Sequence, residues 1–134
     1  MNNYIQVVNL RNCKPEAGWL DIKCDRSTVL GNPFELKGED SREAVVHAHR
    51  QWLNQCRVHA HLDIPLAIDM WKNKGFKVAL SYKHPTSFIV MRELNRIEGL
   101  LRAGQKVRLQ CWCYPSSCHC DNYKAYLIWK LSAN

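Results

Sequence analysis

Val107-Arg108-Leu109-Gln110-Cys111-Trp112-Cys113 alternates apolar and polar residues in the two-residue period of a β-strand. Val107, Leu109, Cys111 and Cys113 take one face, and Arg108, Gln110 and Trp112 the other. The strand runs into Tyr114-Pro115-Ser116-Ser117-Cys118-His119-Cys120, a loop, and helical patterning resumes over about Asp121–Leu131. Upstream, Ile5–Arg11 is β-branched and apolar, as a buried strand is, while Trp19–Lys23 is short enough for an edge strand. Lys77–Tyr82 has the same look. Strands separated by helical segments need crossover connections, and crossovers join parallel strands. The expected class is therefore α/β: a small, three-layer, Rossmann-like domain with a mostly parallel sheet.

Three helices fit between the strands. Val45, Ala48, Trp52, Leu53 and Cys56 place one apolar face on about Ser41–Cys56, with Asp40 and Glu43 at capping-box spacing and Ser41 as the alternative cap. A second helix is expected over Ile64–Asn73, with Pro65 in its first turn and Gly75 just past its end. Thr86 or Ser87 caps a third running through Arg102, striped by Val90, Leu94, Ile97 and Leu101 and stopped at Gly104. No repeat, low-complexity tract or Pro/Gly-rich linker interrupts the chain. Its 134 residues suit a single domain over 1–134.

With 46% apolar and 23% charged residues, disorder and collagen-like repeats are excluded. No apolar run approaches the ~20 residues of a membrane span. The start, MNNYIQVVNLRN, has neither a basic leader with an apolar core nor a cleavage site. The expected address is cytoplasmic, with no membrane partner. The net charge of +7 favours anionic partners, whether small molecule, nucleotide or nucleic acid, although the basic residues are scattered.

Between Cys111 and Asp121 lie four thiols, an imidazole and a carboxylate, at a strand's carboxyl end and a helix's amino end. That junction is where α/β proteins keep their sites. Three readings stand side by side. Zinc held by Cys111, Cys113, Cys118 and Cys120, with His119 as substitute, requires the strand to bend. Sulfurs around zinc sit ~3.8 Å apart, whereas residues i and i+2 of a strand are ~6.6 Å apart. Alternatively, Cys118 is a reactive thiolate at the helix start, with His119 as base or cation and Cys113 as resolving partner. Lastly, the cysteines are small buried hydrophobes and the helix start binds an anion through its amides.

The sequence resembles a family through Val7-Val8-Asn9-Leu10-Arg11, Arg26, Gly31-Asn32-Pro33-Phe34, Arg42-Glu43, Trp52-Leu53 and Cys111-Trp112-Cys113-x-Pro115-x-x-Cys118-His119-x-Asp121. It is similar to a domain of unknown function found in uncharacterised bacterial and phage proteins and marked by a CWC motif. The resemblance implies a phage origin, hence a host cytoplasm, and brings no established activity. Two departures stand out. Cys120 replaces a residue that is usually small in the family, and about 57–85 is longer than the usual connection, as an elaboration would be.

Glycine at 31 permits unusual dihedrals and close backbone approach, so Gly31-Asn32-Pro33 makes a tight turn. If the first and last strands are parallel neighbours, that turn and the CWC loop border one crevice. Arg11, Arg26 and Arg42 are then candidates for anion contact, Trp112, Tyr114 or Phe34 for stacking, and Cys113 for the crevice wall. Cys118 and His119 form the reactive or anchoring pair, and Asp121 a helix cap or acid/base partner. The favoured ligand is anionic and nucleotide- or nucleoside-like. The alternative is a nucleic-acid-binding or host-interaction protein with a structural, zinc-bound cysteine cluster. Catalysis and simple binding both stay open. His47 and His49 diverge on a helix and, like His59 and His61, read as structural or solvated. Cys13, Cys24 and Cys56 read as free thiols, and Tyr123–Lys130 as a packing helix with snorkelling lysines.

Overall fold

In the computed structural model, which describes residues 2–64 and 66–133, the alternating strands pair as the pattern demands. The elements are β1 (Ile5–Asn9), β2 (Trp19–Lys23), β3 (Phe34–Glu35), α1 (Arg42–Val58), α2 (Asp69–Asn73), β4 (Lys77–Val78), α3 (Ser87–Arg102), β5 (Lys106–Cys111) and α4 (His119–Ser132). Among the described residues the main sheet has the order β1-β5-β2, with both outer strands parallel to β5. Ile5 lies opposite Val107 and Val7 opposite Leu109, so this register gathers the apolar side chains on one face. There they join one core with residues of α1, α3 and α4.

The other face is polar, yet Arg108 and Gln110 are buried on it. Arg108 donates from Nε and Nη2 to the two carboxylate oxygens of Asp21 (2.7 and 3.1 Å) and from Nη2 to the Lys14 carbonyl (2.8 Å). Glu16 adds a longer contact at 3.4 Å. Residues 10–18, the connection from β1 to β2, are therefore strapped over this face. The layer on this side is the strap, and the first crossover contains no helix.

The two long helices follow their stripes. Val45, Ala48, Trp52, Leu53 and Cys56 are buried on α1, and Val90, Leu94, Ile97 and Leu101 on α3. Thr86 Oγ1 accepts from the Ile89 N–H and caps α3 (3.2 Å), and Gly104 closes it at φ +91°. At α1 the expected cap is corrected. Ser41 Oγ donates to the Gly38 carbonyl instead, and Glu39–Ser41 forms a 3₁₀ turn before the helix.

Other expectations change where tertiary contacts outweigh local pattern. β1 ends at Asn9, leaving Arg11 in a turn. The helix expected over Ile64–Asn73 is only Asp69–Asn73, and the Pro65 placed in its first turn lies outside the described residues. Five residues cannot sustain a helix alone. This one is held by Trp71, buried in the core with its ring 5.5 Å from that of Phe34. The Lys77–Tyr82 strand is reduced to Lys77–Val78, which pairs antiparallel with Phe34–Glu35 outside the main sheet. α4 begins at His119, two residues before the expected Asp121, and Cys118 occupies its N-cap position. Among the described residues no helix is long and apolar enough to cross a membrane.

Candidate ligand cavity and thiol cluster

Beyond the carboxyl ends of β2 and β5 opens a cavity of about 660 Å³, within the usual size range of small-molecule sites. Its first wall is the segment after β2. There the Cys24 N–H donates to the Gln110 carbonyl (2.9 Å), carrying the pairing one residue past the strand. Asn32 Oδ1 accepts from the Phe34 N–H (3.0 Å), which turns the chain at Pro33. Arg26 braces this turn, donating from Nε to the Asn32 carbonyl and from Nη2 to that of Phe34, both at 2.9 Å.

The second wall is the CWC loop. Asn9, at the end of β1, donates from Nδ2 to the carbonyls of Trp112 (3.3 Å) and Tyr114 (2.8 Å). Parallel pairing of β1 with β5 thus fixes the loop as well as the strand. Trp112 is 52% exposed beside the cavity, and the Arg11 guanidinium lies 5.6 Å from its ring centre. α1 supplies a third wall through Arg42, Val45 and Val46. Arg42 donates from Nη1 to the Ser117 carbonyl (3.0 Å) and pairs through Nε with Glu39 (2.6 Å), which pushes its pKa further up.

The two motifs at opposite ends of the chain therefore share one cavity. Arg26, Asn32, Phe34, Arg42, Trp112 and Cys113 line it, together with Cys118 and His119. Gly31 and Pro33 shape its wall without lining it, and Arg11 touches it only through Trp112. Tyr114 is exposed and contributes its carbonyl. Val45, Val46 and Ser117 are lining residues that sequence reasoning passed over. Asn9 was within reach, because it belongs to the VVNLR element.

The thiols converge beneath this cavity, in a different combination from the expected one. The sulfurs of Cys111, Cys118 and Cys120 all lie within 4.8 Å of one another and are buried, and this trio can hold a metal ion. Cys113 stands apart, half-buried beside Arg42, because β5 ends at Cys111 and the alternation ends with it. Cys24, read as an ordinary thiol, is fully buried against Cys120.

The Cys118–His119 pair takes other roles as well. Cys111 and Cys118 sulfurs are 3.0 Å apart. Cys111 accepts from the thiols of Cys118 and Cys120 and from the backbone N–H groups of Tyr114 and Cys113, which holds its pKa well below the ordinary thiol value. Cys118, donating to Cys111, is pushed up. His119 Nε2 faces the Cys24 carbonyl at 2.7 Å and the Leu30 carbonyl at 3.0 Å, so that nitrogen carries the proton. Burial lowers the His119 pKa, and the ring braces the 24–30 segment as a neutral donor. Asp121 Oδ2 accepts from the Cys118 N–H (3.0 Å), the helix-cap alternative of its two expected roles.

The profile of a domain of unknown function, DUF4326, matches residues 8–129, a span that includes all three cavity walls, α2 and β4. The chain belongs to the DUF4326 family. No curated protein and no solved structure matches it.

One further buried group of the DUF4326 chain sets a pH dependence. His49 is fully buried on α1, with its Nδ1 3.0 Å from the Asn122 Nδ2 that donates to it. Burial, and then the neighbouring titratable His119 ring, drives its pKa well below 6.5. Protonating Nδ1 would displace the Asn122 donor. Below pH 6.5 the unfolded chain binds a proton at this site that the folded chain refuses. Stability is then fully present above that pH and falls as the solution becomes more acidic. The expected slope is up to ~1.4 kcal/mol per pH unit for this one proton. Urea unfolding from pH 7.5 down to 5 measures it. His49→Gln, which keeps a polar group but does not titrate, should reduce the proton uptake on unfolding by about one.

Proposed function

We propose that this DUF4326 chain binds an anionic, nucleotide- or nucleoside-like small molecule in the cavity between the Gly31–Phe34 turn and the CWC loop. The observation that carries this reading is the half-exposed Trp112 ring at a cavity whose walls also present Arg26 and Arg42. An indole face stacks on a base. Fixed guanidinium groups attract phosphate or carboxylate, and the site lies at the carboxyl edge of parallel strands, where α/β proteins bind ligands. The apolar lining from Phe34, Val45 and Val46 suits a ring more than a hydrated ion. All seven cysteines are free, the condition a reducing cytoplasm maintains. A phage-encoded protein working in a bacterial host fits the same reading.

Thermal-shift screening of nucleoside mono-, di- and triphosphates, free nucleosides and simple anions tests the proposal. A ligand at a hundredfold excess over its Kd adds ~2.7 kcal/mol of stability. Trp112→Ala should weaken its binding about five- to 150-fold, the equivalent of ~1–3 kcal/mol of stacking. No stabilisation across the panel, or equal stabilisation of both proteins, would reject the reading. Tight oligonucleotide binding that collapses with added salt, without mononucleotide binding, would favour a nucleic-acid partner instead.

A further inference from the structure

We propose that Cys24, Cys111, Cys118 and Cys120 form a thiolate site for a single thiophilic divalent ion of the zinc class. The donors come from two strand ends and one helix start that only the folded sheet brings together. Cys24 follows β2, Cys111 closes β5, and Cys118 and Cys120 open α4. A tetrahedral ion with Zn–S bonds of ~2.3 Å needs sulfurs ~3.8 Å apart. The Cys111, Cys118 and Cys120 sulfurs lie mutually within 4.8 Å, and the Cys111–Cys118 pair, 3.0 Å apart, needs to open by only about 0.8 Å to reach that spacing. Cys24, fully buried at the end of β2, is the fourth donor; its sulfur lies outside that 4.8 Å group and its thiol faces the Ile22 carbonyl at 3.7 Å, so it must turn from that carbonyl to reach the ion. An all-sulfur donor set is the pattern of a structural ion, as distinct from a catalytic one.

A second observation concerns the helix start. Cys118 stands at the N-cap of α4, where the first backbone N–H groups of the helix have no helical partner. Thiols packed only as hydrophobes have no use for such donors, whereas thiolates on a metal are stabilised by them. Binding one divalent ion to four thiols releases four protons and leaves a formal charge of −2. The N–H groups at the amino end of α4 face that charge. His119 is not a donor to the ion through Nε2, which is held between two carbonyls. Its bond to the Cys24 carbonyl positions the residue that carries the fourth sulfur.

The site borders the ligand cavity through Cys24 and Cys118 but is tested without any ligand, by elemental analysis. Chain purified under reducing conditions without chelator should carry about one zinc. Cys113→Ser, whose thiol lies outside the cluster, should retain it, while Cys24→Ser and Cys111→Ser should lose it. Because those two variants can fail to fold, cobalt titration of the wild-type chain provides the second measurement. Tetrahedral thiolate coordination gives intense ligand-to-metal charge-transfer absorption and visible bands that zinc then abolishes. Metal-free wild type that gives no such spectrum overturns the site. So does zinc loss in Cys113→Ser, or full zinc retention in Cys111→Ser. Full retention in a folded Cys24→Ser overturns the four-sulfur donor set.

Discussion

Replacing Trp71 by alanine is expected to cost about 3–5 kcal/mol of folding stability, the range for deleting a large aromatic from a packed core. The indole is 1% exposed and meets Phe34 at a ring separation of 5.5 Å. Phe34 also packs on Phe76, at 5.9 Å, so losing Trp71 removes support from the first cavity wall as well as from the core. In thermal unfolding the deficit should appear as a Tm drop of roughly 10–20 °C for a chain of this size. Leu80→Ser is the matched control from the same segment. Leu80 is 95% exposed, and its replacement should stay within about 0.5 kcal/mol. If Trp71→Ala behaved like Leu80→Ser, residues 59–85 would be an appendage and not part of the core.

That segment also marks where the sequence stops being readable. α1 and α3 were legible because a buried stripe at helical spacing recurs over several turns, and β5 because its alternation extends over six residues. α2 and β4, at five and two residues, are too short to establish a period. They exist because Trp71 finds the core and because the Ala79 N–H finds the Pro33 carbonyl at 2.8 Å. Nothing local announces either contact.

The site divides along the same line. That the Gly31–Phe34 turn and the CWC loop share a cavity followed from strand adjacency, which the pattern implied. Which sulfurs meet did not follow. Extending the alternation through Cys113 places it beside Cys111, but the Asn9 amide draws the backbone at Trp112 and Tyr114 out of the strand. Cys24 enters only because β2 lies next to β5, and a sequence does not print pairing order. His119 looked like a base for its neighbour because its true partners, the Cys24 and Leu30 carbonyls, lie 95 and 89 residues away.

Gly31→Ala is the second large effect, and its origin is space, not backbone conformation. A Cβ there would sit 2.7 Å from the Arg26 Cα and 2.8 Å from the Asp25 carbonyl oxygen, both backbone atoms, and 3.0 Å from Tyr82 Cδ1. Tyr82 cannot swing aside freely, since it is 3% exposed and its hydroxyl donates to the Val29 carbonyl at 2.7 Å. The turn must therefore move away from Arg26, against the two bonds by which that guanidinium braces it. Overpacking of this kind costs typically about 1–3 kcal/mol and occasionally more. Gly99→Ala separates crowding from the loss of glycine itself. Gly99 lies within α3 with nothing within 4 Å of a new Cβ, and alanine there should stabilise by about 0.5–1 kcal/mol. Paired urea titrations should then move in opposite directions, with ligand-induced stabilisation reduced only in Gly31→Ala. Equal shifts in both variants would mean that the turn has room to spare, and that Arg26 is not holding the cavity wall against a close backbone approach.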